Sequence, residues 1–169
     1  VFGSDGSFSN VLGEQTWIEG WQAGFDGCGA PVAPHDGTNP ATYSFDESSG
    51  LLTISGLGAY IGLPKATNSS EINNPANAAS TITYIVDLVD DSTAIIDIEA
   101  GSGVWWRYKL VRIANPPSSP LTGTWQVASE PGSLAVGPNQ GSSQWWSIDA
   151  DGVNERECYF DDTYVFGSD

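Results

Sequence analysis

The segment Asp149-Ala150-Asp151-Gly152-Val153-Asn154-Glu155 sets oxygen donors at alternate positions around a glycine. Hard oxygen ligands on a turning, Gly-containing loop are what calcium takes, which makes Asp149, Asp151, Asn154 and Glu155 candidate ligands for that ion. Asp36, Asp161 and Asp162 would complete the set if the fold gathers them. The stretch departs from the helix–loop–helix calcium pattern, because the twelfth place, which takes a bidentate glutamate there, is Phe160 here. Without an ion the same residues read as an acidic turn.

Other chemistry is thinly supplied. The single histidine, His35, sits in a Pro- and Gly-rich stretch, and no Gly-x-Ser-x-Gly elbow offers a nucleophile for it to activate. Glycosidases need two carboxylates about 5 Å or about 6.5 to 9.5 Å apart. With 21 acidic residues present, some such pair is expected by chance and singles out no residue. The expectation is a chain that is not an enzyme.

Seven tryptophans are the richer signal. Trp17 and Trp21 flank Ile18-Glu19-Gly20, while Trp105-Trp106 and Trp145-Trp146 are adjacent pairs. Neighbours on a strand point to opposite faces, so one ring of each pair can enter a core while the other stays outside. An exposed indole beside carboxylates and amides suits a saccharide, whose C–H faces stack on the ring while its hydroxyls bond the polar groups. Trp17, Trp21, Trp105, Trp145 and Trp146 are the candidate sugar-binding rings. The competing reading is that they fill a core or an interdomain contact.

The charge narrows the partners. Five basic against 21 acidic side chains give −16, which disfavours phosphate backbones and anionic lipid, since both are bound by clustered Lys and Arg. No run of 18 apolar residues suggests a membrane span, and no basic or apolar leader opens the sequence. Nucleic acid and direct membrane insertion are therefore not expected. Cys28 and Cys158, an even count in a Met-free and Lys-poor chain, suit a disulfide in an exported protein. Asn68-Ser69-Ser70 fits an N-glycosylation sequon at Asn68, and Asp91-Ser92-Thr93 resembles a bacterial O-glycosylation motif at Ser92. The setting expected is extracellular or at a cell surface.

The elements that must position these residues are strands. Alternation marks Ser7 to Leu12, Ala41 to Asp46, Leu51 to Ser55, Tyr60 to Leu63, Thr81 to Leu88, Thr93 to Glu99, Val104 to Arg112, Gly123 to Val127, Cys158 to Phe160 and Tyr164 to Phe166. Turn clusters such as Glu47-Ser48-Ser49-Gly50, Val89-Asp90-Asp91-Ser92 and Ala100-Gly101-Ser102-Gly103 separate them. No segment carries a sustained 3.6-residue period, although residues 76–80 suit a short helical turn. The pattern predicts an all-β domain.

The ends repeat: Val1-Phe2-Gly3-Ser4-Asp5 recurs as Val165-Phe166-Gly167-Ser168-Asp169. A parent built of tandem units about 164 residues long explains this, with the window cut inside a hairpin whose turn is Gly-Ser-Asp-Gly. The Pro-rich stretch 114–120 would then be the linker, residues 1–113 the larger C-terminal part of one repeat, and 121–169 the N-terminal part of the next. In repeat order Cys28 follows Cys158 by about 34 positions, so in an array their bond joins successive windows, whereas in a self-closed chain it is internal.

Gly123-Thr124-Trp125 opening a first strand, with Trp105-Trp106-Arg107-Tyr108-Lys109 in the last, resembles the Gly-x-Trp start and basic final strand of lipocalin-like (calycin) barrels. The resemblance implies an antiparallel up-and-down barrel of about eight strands, with Arg107 or Arg112 packed against Trp125. Trp145-Trp146-Ser147, Cys158-Tyr159-Phe160-Asp161-Asp162 and Ala33-Pro34-His35-Asp36-Gly37 are similar to lipocalin-like modules appended to secreted bacterial polysaccharide-degrading enzymes. Three functions follow as expectations. First is a non-catalytic repeat unit of an extracellular bacterial filament or adhesin stalk, its partners being copies of itself. Second is a carbohydrate-binding module whose repetition supplies avidity for polysaccharide. Third is a carrier of a small hydrophobic ligand.

Overall fold

A computed structural model describes residues 6–114 and 123–166. The first pentapeptide and most of the Pro-rich stretch lie outside the described residues. Alternating apolar residues drive a single antiparallel sheet of 11 strands. Its main path runs β1 (Ser7–Phe8), β5 (Ala41–Asp46), β6 (Leu51–Ser55), β7 (Thr81–Asp90), β8 (Thr93–Glu99), β9 (Trp105–Ala114), β10 (Gly123–Val127), β13 (Thr163–Phe166) and β2 (Asn10–Val11). Only Ser9 separates β1 from β2. Taken as one bent strand they close the path into a barrel-like wall of about eight positions. The all-β barrel expected from the pattern is the fold observed.

Every step of the path is antiparallel, and β5 to β9 form a meander in which the predicted hairpins join β5 to β6, β7 to β8 and β8 to β9, while the long stretch 56–80 joins β6 to β7. β9 has two partners on one edge: β10 pairs with its later half, and β11 (Leu134–Gly137) with its earlier half. β11 also pairs with the short β12 (Trp146–Ser147). The strands on either side of residues 115–122, β9 and β10, are thus hydrogen-bonded neighbours in one sheet. A separate two-stranded ribbon, β3 (Thr16–Ile18) with β4 (Gly27–Gly29), stands at the barrel end and brackets α1 (Gly20–Ala23).

Inward residues follow the period of two. Leu52 and Ile54, Ile82, Tyr84 and Val86, Ala94, Ile96 and Ile98, and Trp106, Tyr108 and Leu110 are all buried on successive strands. Trp125 is fully buried, and the Arg112 guanidinium, on its cross-strand partner, lies 4.5 Å above its ring. Arg107 instead grips Asp97 with two bonds of 2.8 Å. Of the two arginines considered for Trp125, Arg112 stacks on it.

Two sequence expectations change here. Tyr60 to Leu63, predicted as a strand, enters the barrel as a buried loop with no strand pairing. Its backbone polar groups find side chains instead: Asn10 Nδ2 donates to Tyr60 O at 2.7 Å, Ile61 N donates to the Tyr84 hydroxyl at 2.8 Å, and Gly62 N donates to the Tyr164 hydroxyl at 3.2 Å. Burial raises the Tyr84 and Tyr164 phenols above their usual range, so they remain protonated. Cys158 to Phe160 is also not a strand. It is part of α3 (Glu157–Phe160), which follows α2 (Ala150–Glu155), and its three consecutive buried side chains fit a short helix against a core, not an alternating strand. The short helical turn falls at Pro75–Asn77.

The barrel interior is therefore filled. Tyr60, Ile61, Leu63 and Ala66 join Tyr84, Tyr108, Trp125 and Tyr164 in one hydrophobic cluster, where an open carrier would keep a cavity.

Candidate functional site

The described residues that combine exposed aromatic surface with polar groups lie at the barrel end carrying β3, α1 and α2. Two open lobes meet there. The inner lobe, about 150 Å³, is lined by Glu19, Leu63, Lys65, Trp106, Leu134, Trp146 and Arg156. The outer lobe, about 360 Å³, is lined by Trp17, Glu19, Asp26, Lys65, Glu155 and Arg156. Glu19, Lys65 and Arg156 belong to both and make the two one groove.

Glu19 is placed by local structure. It precedes α1, where its backbone N–H donates to Gln22 Oε1 at 3.0 Å, and Gly24 in the left-handed region ends the helix after one turn. The carboxylate is 8% exposed and fully engaged, accepting from Trp21 Nε1 at 3.0 Å and pairing with Lys65 Nζ at 3.3 Å. Lys65 also lies 4.9 Å from the centre of the Trp106 ring, whose Nε1 donates to Glu71 at 2.5 Å. Trp106 meets Trp146 edge-on at 6.5 Å, because both pair with Val136 of β11 from opposite sides.

Arg156 is placed by the disulfide. Cys28 and Cys158 are joined within the chain, tying β4 to α3. Trp17 is the cross-strand partner of Cys28, and Arg156 lies two residues before Cys158. The guanidinium thus sits 3.9 Å above Trp17, and 5.9 Å from the Trp146 ring. These distances give a cation–π contact worth roughly 1 kcal/mol or more where water is excluded. No carboxylate pairs with Arg156 among the described residues, and its Nε has no hydrogen-bond partner.

Of the five candidate rings, the fold brings Trp17 and Trp146 into the lining of this groove, sets Trp21 behind it against Glu19 and His35, and leaves Trp105 and Trp145 off it. Trp146 is 39% exposed. Trp145, just before β12, is the most exposed of the tryptophans. Trp105 is half-buried on the outer side of β9. Trp106, Lys65 and Arg156 complete the groove without having been expected. The adjacent Trp pairs were the available signal for Trp106, whereas nothing local pointed to Lys65 or Arg156.

Most of the acidic segment is helical, α2 covering Ala150–Glu155. Asp149 is the N-cap of α2, its Oδ1 accepting from Gly152 N at 2.8 Å. Asp151, Asn154 and Glu155 are exposed on that helix. Asp36 bonds Thr38, and Asp162 bonds Thr16 in another part of the core. Among the described residues no three Asp, Glu, His or Cys side chains are gathered closely enough to hold a metal ion. His35 is buried against Trp21 and Tyr60 at 5.7 and 6.1 Å, with no partner for Nδ1.

The modification candidates are both at the surface. Asn68 is exposed, but its carboxamide makes two 2.8 Å bonds to the Thr83 backbone. Ser92 sits in the β7–β8 turn, its hydroxyl donating to Asp90 at 2.8 Å. No helix among the described residues is long and apolar enough to cross a membrane. No protein-family model, no curated protein and no solved structure matches the chain.

Proposed function

We propose that this chain is a non-catalytic, saccharide-binding module of an extracellular protein. The observation that carries the reading is the half-exposed Trp146 ring at the mouth of a groove furnished with Lys65, Arg156 and Glu19. An indole face takes the apolar side of a sugar, and fixed polar groups around it take hydroxyls and set orientation. The flanking cations already cover Trp17 and Trp106, which leaves Trp146 as the stacking surface. The disulfide favours an oxidising compartment. The test is titration of the chain with an oligosaccharide panel by calorimetry, beside Trp146→Ala. Binding lost by at least about tenfold in the variant, with the melting temperature kept, supports the reading. Binding unaffected by Trp146→Ala overturns it.

A second reading, the structural repeat unit, is favoured by one relationship in the sheet. β13 pairs with β2 as Thr163 with Val11 and Tyr164 with Asn10. Continuing that register brings Phe166 level with Phe8, so the last described strand runs beside the first ones. A barrel made of 123–166 from one copy and 6–114 from the next would have the same contacts, Cys28–Cys158 included. Mixing Cys28→Ser and Cys158→Ser chains under oxidising conditions tests it on a non-reducing gel. A disulfide-linked pair supports exchange between copies, and monomers alone exclude it.

A further inference from the structure

We infer that the inner lobe takes a uronic-acid unit, the sugar's carboxylate lying between Lys65 and Arg156 while its ring stacks on Trp146; this rests on the saccharide reading above. The chain has five basic residues against 21 acidic ones, yet two of the five line this one groove. The others are committed elsewhere: Arg107 to Asp97, Lys109 to Glu130, and Arg112 against Trp125.

The inner lobe differs in charge from the rest of the surface. Its only carboxylate is Glu19, already held by Lys65 and Trp21. Asp26 and Glu155 line the outer lobe instead. Two cations and one engaged carboxylate thus face each other across the inner lobe, whose lining includes neither Asp26 nor Glu155. Arg156 is the stronger anchor, since it has no carboxylate partner among the described residues and is held in place by stacking on Trp17. A planar guanidinium held this way is pre-organised for a carboxylate, and charge-assisted bonds of that kind are roughly twice as strong as neutral ones.

The experiment compares ligands differing only in that charge. Oligogalacturonides and their methyl esters, with alginate oligosaccharides and neutral oligoglucosides alongside, are titrated into the intact oxidised chain. The acid form is expected to bind at least about tenfold more tightly than its ester and to weaken as salt is raised. Arg156→Gln and Lys65→Gln should each narrow the gap between acid and ester. Equal binding of acid and ester overturns the uronate assignment but keeps the saccharide reading. Failure of every saccharide in the panel to bind overturns both. The comparison of acid with ester needs no variant, so it stands even if Arg156→Gln destabilises the fold.

Discussion

Thr16 and Asp162 meet at 2.5 Å across 146 residues of sequence, the threonine hydroxyl donating to Asp162 Oδ2 in a buried site beside the disulfide. Asp162 Oδ1 has no partner. Burial pushes this carboxyl up to about 8; the Thr16 bond opposes the rise and neighbouring Asp161 adds to it. The group is therefore neutral in the fold over a range where it ionises in the unfolded chain.

The sign of the pH effect follows. The stability contributed by neutral Asp162 is whole below the unfolded value of 3.8 and is lost as pH rises towards about 8. The loss amounts to at most about 6 kcal/mol. Asp162→Asn, which stays neutral, should melt near the parent at pH 4 and higher at pH 9, by about 10 °C if the full loss is realised. Parallel melting curves for the two proteins from pH 4 to 9 would show that the site does not titrate in this way.

His35 sets the acid side. Desolvation pushes its imidazole down to about 4, against a smaller upward pull from Asp36, so it is neutral at pH 7. Its depressed value means stability is present above 6.5 and is lost as pH falls towards 4, by up to about 3 kcal/mol. His35→Gln should flatten chemical-denaturation midpoints between pH 7 and pH 4. An unchanged acid slope in the variant would assign that slope to other groups.

Cys28 and Cys158 enclose 130 residues. Chain-entropy arguments give a bond of this span about 4–5 kcal/mol. Reduction should lower the melting temperature by about 10 °C or more. It should also weaken saccharide binding, because the bond holds Arg156 over Trp17. Calorimetry with and without reductant reads both. A binding constant indifferent to reduction would mean that α2 and β3 hold the groove unaided.

Gly62 is the tightest point of the buried loop. Its φ is +79°, and a Cβ there would run into the Tyr108 ring. Gly62→Ala thus combines backbone strain with overpacking, and should destabilise the fold by about 3 kcal/mol or more, read from denaturant midpoints. Stability within about 1 kcal/mol of the parent would show that the loop can withdraw from the barrel.

Much of the wall was legible in the sequence, because a strand half-buried in a barrel writes its environment into every second residue. Ala41 to Asp46, Leu51 to Ser55, Thr93 to Glu99 and Gly123 to Val127 lie where the alternation puts them. The two misread segments both satisfy their backbones by means that alternation does not record. Residues 60–63 bond to the side chains of Asn10, Tyr84 and Tyr164, and Cys158 to Phe160 form a turn of helix held by a distant cysteine.

The sequence by itself determined the all-β class, the acidic character and the identity of the rings available for stacking, and it offered two cysteines suited to a bond whose place it left open. These are properties of composition and of short-range period. Tertiary structure alone decided which rings share a groove and which charges attend them. Trp17, Lys65, Trp106, Trp146 and Arg156 come from five separate stretches of chain, and only barrel closure and one long-range disulfide bring them together.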